Sequence, residues 1–339
     1  MEPMSKTERI DAALAGEEVD RVPMSFWRHF YHQEHDAALL ADALVSFQRE
    51  FEWDFVKVNP RAQYHVEDWG NRYRYTEDPF ARPELVSHVV HDRADWARIS
   101  PLNIWTAAAL KQQLVLLELV KEGLQGEDVY YLHTVFSPLD IAYRLAGHSR
   151  ERLIQAMESE AQELEEALDA IAQTFVKYVE ACLDAGASGI FFTPTKLASA
   201  DFMAEEQYRR FGEPYDLRVL DAVQGRKGFN LLHLCGTNVF FDRLSVYPVD
   251  ALSWDVHAAG NPGLSEGWDR TGRMVVGGLD QGKLAGSTPE EVAGMVRRAV
   301  DETDGRGCVI APGCTFRPNT PKELLRAARE AATQVGEIS

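Results

Sequence analysis

The chain has 339 residues, 45% of them hydrophobic and 26% charged, and a formal net charge of −18. This is the composition of an ordinary folded protein with enough chain for a large core. A chain so acidic, without a basic stripe, excludes nucleic acid and anionic membrane surfaces as expected partners. Its apolar runs are too short for a membrane span, and Met1 to Pro23 lacks the apolar segment of a secretion signal. Its four cysteines are too few for a disulfide scaffold at this size, so a reducing, cytoplasmic setting is expected.

In chain order, Thr7 to Gly16 reads as a short helix with Thr7 as N-cap, followed by an apolar strand-like stretch from Asp20 to Trp27. Asp36 to Phe51 repeats Ala and Leu at helical spacing, and Asp54 to Val58 is the second strand, stopped by Asn59-Pro60. Residues 61–103 are irregular and rich in Trp, Tyr, His and Pro, which predicts an elaborated loop too aromatic to stay solvated. A helix from Thr106 to Glu122 leads to a third strand, Val129 to Val135, broken at Ser137-Pro138. Arg150 to Leu183 reads as two consecutive helices, Gly189 to Thr193 as the fourth strand, and Glu205 to Gln224 as helix interrupted at Gly212 to Pro214. Strands five to eight are expected at Phe229–His233, Asp250–Trp254, Arg273–Val276 and Gly307–Ile310, with helices at Pro289–Thr303 and Pro321–Val335. Short apolar strands alternating with amphipathic helices predict parallel βαβ units. Eight of them predict an α/β fold of the (β/α)8 TIM barrel class. It would be one domain over residues 1–339, with an N-terminal helical extension and a long insertion after the second strand.

In such a barrel the chemistry sits at the C-terminal strand ends. Those ends present Arg28 and His29, Asn59 and Arg61, Thr193, His233 and Cys235, Asp255, Asp280 and Cys314. His233-Leu-Cys235-Gly236 is the most informative motif, because a His and a Cys two apart on extended backbone share one side. Cys314 follows 79 residues later on the same expected rim. One imidazole and two thiolates leave a tetrahedral zinc one position short, as in catalytic rather than closed structural sites. Cys182 at a helix end and Cys308 inside the last strand are expected to be core residues. The fourth position is open to water, Asp255, Asp280 or a substrate.

The motifs Asp20-Arg-Val-Pro23, Val135-Phe-Ser-Pro-Leu-Asp140, Leu232-His-Leu-Cys-Gly236, Val276-Gly-Gly-Leu-Asp280, Ile310-Ala-Pro-Gly-Cys314 and Asn319-Thr-Pro321 span nearly the whole chain. Together they resemble the uroporphyrinogen decarboxylase superfamily, and within it the branch of corrinoid-dependent methyltransferases. The resemblance implies a (β/α)8 barrel, zinc held by His233, Cys235 and Cys314, and a methyl group passed from a corrinoid on a partner protein to a thiol or similar acceptor. Asp255 and Asp280 are the catalytic candidates, and Arg28, His29, Asn59, Arg61 and Thr193 the candidates for holding a small-molecule substrate. The decarboxylase branch carries an arginine-glycine stretch where this chain has Trp27-Arg-His-Phe-Tyr31, and Ser-Asp where it has Val58-Asn59. Metal-independent decarboxylation of a tetrapyrrole and a non-catalytic corrinoid-associated protein are the alternatives.

Overall fold

The computed structural model describes residues 2–336 of the chain. Among the described residues nine strands form: β1 Phe55–Val58, β2 Arg72–Arg74, β3 Glu84–Ser87, β4 Tyr130–Phe136, β5 Gly189–Thr195, β6 Leu231–Leu234, β7 Ala251–Trp254, β8 Met274–Leu279 and β9 Cys308–Pro312. Seven of them make one parallel sheet in the order β1-β4-β5-β6-β7-β8-β9, with helices intervening along the chain. The sheet curls so that its two edges approach a common segment. Ile310 N donates to Pro23 O at 2.9 Å and Ser25 N to Ile310 O at 3.1 Å on the β9 side. Asp54 N donates to Met24 O at 2.8 Å, and the Ser25 hydroxyl to Phe55 O at 2.8 Å, on the β1 side.

Seven of the eight expected strands are therefore strands, and the expected first, Asp20 to Trp27, makes a single parallel bridge from Met24 to Ile310. Pro23 explains part of this, because it has no N–H to extend a ladder.

Side chains alternate across each strand. Phe55, Leu132, Phe191, Leu231, Ala251, Met274, Val309 and Ala311 pack together inside the curl, joined by Trp27 and by Ile10 and Ala13 from the N-terminal helix. Their neighbours Val56, Ile190, Leu232, Leu252, Val275 and Ile310 face outward into the larger core under the helices. The N-terminal helix, Lys6–Ala15, thus plugs the interior rather than extending away from it. Its N-cap is Ser5, not Thr7: Ser5 and Glu8 bond reciprocally in a capping box, which leaves Thr7 inside the first turn.

Two other segments differ from expectation. Residues 61–103 hold the helices Tyr64–Glu67 and Arg93–Trp96 and the antiparallel pair β2–β3, with Tyr64 and Trp96 fully buried. The helix Pro138–Leu145 follows β4 where only a break was expected. Ser137 caps it and Pro138 sits in its first turn, so the pair that ends the strand also starts a helix. Among the described residues no helix is long and apolar enough to cross a membrane.

Asp54 ties the closed end together. Its carboxylate is fully buried and accepts from Arg9 at 2.7 Å, Arg21 at 2.7 and 2.8 Å, and Met24 N at 2.7 Å. Removing one member of a buried ionic cluster leaves uncompensated charge. Asp54→Ala, which strands Arg9 and Arg21, is expected to cost about 3 kcal/mol or more, read as a fall in the urea unfolding midpoint.

Candidate metal centre

His233, Cys235 and Cys314 converge, with one ligand atom from each lying within 4.8 Å of the others. The two sulfurs are 3.7 Å apart. The inward alternation of β6 continues from Leu231 through His233 to Cys235, and Cys235 N still donates to Thr195 O at 3.4 Å. Gly236 then turns the chain away at φ 98°, a conformation L side chains rarely adopt. Cys314 arrives just past β9. Gly313 before it lies so close to Asp255 that a Cβ there would sit 2.8 Å from the Asp255 Cα. Only glycine lets the chain bring Cys314 in along this path.

The imidazole is oriented for coordination. His233 Nδ1 lies 3.1 Å from the buried Ser253 hydroxyl on β7, which pairs with His233 in the ladder. With Nδ1–H donating to Ser253, the Nε2 lone pair remains, and Nε2 is buried without a hydrogen-bond partner. A buried imidazole nitrogen left unpartnered beside two thiols has the donor set of a soft or borderline metal such as zinc. The two thiols are hydrogen-bonded to each other. The hydrogen bond from Cys235 holds Cys314 well below the ordinary thiol range. The same bond, together with burial, pushes Cys235 well above it. Cys182 and Cys308 behave as core residues: both are fully buried, and burial pushes Cys308 to about 11 and Cys182 higher still.

The trio opens into a cavity of about 310 Å³. Trp27 and Phe191, with rings 5.4 Å apart in an edge contact, form apolar wall. His29, Asn59 and Thr193, expected from the sequence, line it. Asn59 Nδ2 is a buried donor without a partner, and Thr193 Oγ1 accepts from Thr195 N at 3.0 Å. The remaining candidates are placed elsewhere. Arg28 donates to the Pro318 carbonyl and lies over the Phe30 ring, and Arg61 pairs with Glu67 at 2.7 Å. Asp255 accepts from Gln281 Nε2 at 2.6 Å beside the trio, where its charge helps raise Cys235. Asp280 caps the helix Gln281–Leu284 and pairs with Lys283 at 2.9 Å.

Sequence reasoning missed Lys57, Arg82, Asp140, Arg144 and Lys196, all of which line the cavity. Asp140 and Arg144 sit on the helix Pro138–Leu145, where Arg144 Nε donates to Asp140 at 2.6 Å and Thr195 Oγ1 donates to its other oxygen. Thr195 holds φ 51°, strained for a β-branched residue, to make this contact. Lys57 did carry a signal, as a lone charge in the apolar run Phe55-Val-Lys-Val58. Burial lowers its ammonium to about 7 against the opposing charge of Cys314.

A family model described as uroporphyrinogen decarboxylase (URO-D) matches residues 5–335. A methylcobamide:CoM methyltransferase, MtbA, of Methanosarcina acetivorans is 22% identical over 96% of each chain. A uroporphyrinogen decarboxylase of Prochlorococcus marinus is 26% identical over 58% of this chain and 56% of its own. Among solved structures, a methyltransferase from Methanosarcina mazei superposes with a TM-score of 0.78 at 20% identity, over 98% of this chain and 99% of that one.

The Ser253 contact generates a test. Partners of a metal-binding imidazole's second nitrogen typically matter by one to two orders of magnitude in affinity. Ser253→Ala is expected to weaken zinc binding by about tenfold in competition with a chromogenic chelator. Thr237→Ala, outside the cavity, should leave it unchanged.

Proposed function

Because the chain belongs to the uroporphyrinogen decarboxylase family, we propose that it is a zinc-dependent methyltransferase within one (β/α)8 domain. It moves a methyl group from a corrinoid, carried by a partner protein, to a small thiol or similar acceptor. The observation that carries this reading is the convergence of His233, Cys235 and Cys314 around an unpartnered His233 Nε2. Those three residues would hold the zinc. Bound there, zinc would supply the positive charge that keeps an acceptor thiol deprotonated near neutral pH. The names of the Methanosarcina relatives, methylcobamide:CoM methyltransferases, support the same reaction class.

The chain's own residues would do the rest. Ser253 orients the imidazole, and the Cys235–Cys314 pair provides thiolate ligands. Trp27 and Phe191 exclude water from one side of the cavity, while Asn59, Thr193 and His29 offer polar contacts to the acceptor. Asp255 would tune Cys235 through its charge, and Asp280 would fix the turn that follows β8. The acceptor's sulfur, as the nucleophile, would take the methyl group from a donor presented at the open mouth; the methyl–cobalt bond breaks with its electron pair left on the corrinoid, and the acceptor's proton goes to solvent. The thiols require a reducing setting such as the cytoplasm. Decarboxylation of a tetrapyrrole is not favoured, since Trp27-Arg-His-Phe-Tyr31 stands where the decarboxylase branch has its arginine-glycine stretch and Asn59 where it has an Asp.

The test is metal content with methyl transfer from methylcobalamin to a panel of small thiols. Purified protein is expected to carry zinc and to demethylate the donor only with a thiol present. Cys235→Ser and Cys314→Ser should lose both zinc and transfer. Cys182→Ser should keep both, at a stability cost of ~1–3 kcal/mol for its buried hydroxyl. Zinc retained after both mouth cysteines are replaced, or sustained turnover of uroporphyrinogen, would overturn the reading.

A further inference from the structure

Lys57 is a basic side chain buried in the wall of the cavity. It projects from β1 into the cavity, is 7% exposed, and among the described residues pairs with no carboxylate. Its hydrogen bond goes to the neutral Asn59 side chain. Its Nζ lies 4.4 Å from the centroid of the Phe191 ring, and the His233 imidazole lies 5.2 Å from the same centroid. Lys57 and the candidate metal ligand thus share one aromatic neighbour. The other ammonium or guanidinium groups of the cavity sit differently: Arg144 is neutralised by Asp140, and Arg82 and Lys196 are exposed.

A buried, unpaired ammonium costs free energy unless an anion answers it. The charge of the centre says when that anion arises. Two cysteinates cancel the charge of a divalent zinc, and an acceptor thiolate then leaves the centre one unit negative. We infer that Lys57 is a positioning residue for the acceptor sulfur, its ammonium balancing the negative charge that an acceptor thiolate brings to the His233–Cys235–Cys314 centre. The inference rests on the proposed zinc site and adds the residue that makes thiolate binding there favourable. It differs from a role in gripping an anionic tail of the acceptor, because the charge answered is on the sulfur itself. A thiol without any other charge therefore depends on Lys57 as much as a charged one does. A thioether, which has no proton to lose and brings no charge, does not.

The experiment uses zinc-loaded protein, the variants Lys57→Met and Lys57→Arg, and calorimetric titration with mercaptoethanol, mercaptopropionate and the methyl thioether of mercaptoethanol. Zinc per chain is measured on every sample. Lys57→Met is expected to keep its zinc and to bind both thiols more weakly by about tenfold or more, the scale of one lost charged contact. Lys57→Arg is expected to recover most of that affinity, and thioether binding to be the same in all three proteins. A loss confined to mercaptopropionate overturns the inference in favour of a tail-binding role. Loss of zinc in Lys57→Met overturns it in favour of a structural one, and unchanged thiol affinity removes the role altogether. Wild-type protein that takes up no zinc overturns the reading of the centre, and this inference with it. Zinc-loaded wild type with thiol binding indifferent to Lys57 sinks the inference alone.

Discussion

The mouth of this protein depends on an unbroken parallel ladder from β6 to β9. His233 pairs with Ser253, Ser253 with Val276, and Val276 with Val309, each in register. That series sets His233 beside the hydroxyl that orients it and sets the height at which the chain leaves β9 for Cys314. The side-chain period of a strand is two, so a slip of one residue on β6 would turn His233 and Cys235 outward and Leu232 and Leu234 inward. Burial forbids the slip, because the outward residues belong to the main core. The metal candidate is therefore held by the same apolar packing that holds the fold.

Both ends of the curled sheet bury charge, under different rules. At the closed end Asp54 meets Arg9, Arg21 and the Met24 amide, so its charge is answered within the chain. That cluster joins the N-terminal helix, the bridged segment and β1. At the open end Lys57 and Asn59 Nδ2 are buried without an equivalent answer. Completed ionic contacts hold a fold together, whereas incomplete ones aimed into a cavity mark where a ligand is to be received. The cavity sets four basic side chains, Lys57, Arg82, Arg144 and Lys196, against the single carboxylate Asp140 in a chain of net charge −18.

Glycines place the ligands where conformation or space demands it. Gly236 supplies the positive φ that lets the chain leave β6 after Cys235, with no neighbour near enough to exclude a Cβ. Gly313 is the opposite case: its backbone needs no special φ, but Asp255 occupies the space a Cβ would take. One is a requirement of torsion and the other of contact, and together they bring the two thiols within reach of one ion.

The periodicity of apolar residues in the sequence by itself determined the strand and helix alternation, and the His-x-Cys spacing with a late Cys named the three convergent residues. Both are local or short-range signals, and alternation along a strand is enough to put His233 and Cys235 on one side. The sequence also separated Cys182 and Cys308 from the mouth, since a cysteine within a helix or strand of apolar neighbours packs as a small hydrophobe. Only the tertiary structure decided that the stretch from Asp20 bridges the sheet edges through one residue pair, because strand pairing depends on partners far along the chain. It alone revealed the helix Pro138–Leu145, buried on nearly every side and so without a one-sided apolar stripe, and with it Asp140 and Arg144. It also sent Arg28 and Arg61 to other partners and brought Lys57 inward instead. A cation's direction at a strand end is set by the carboxylate, carbonyl or ring that the fold supplies, and for Arg28 and Lys57 the Pro318 carbonyl and the Phe191 ring come from far along the chain.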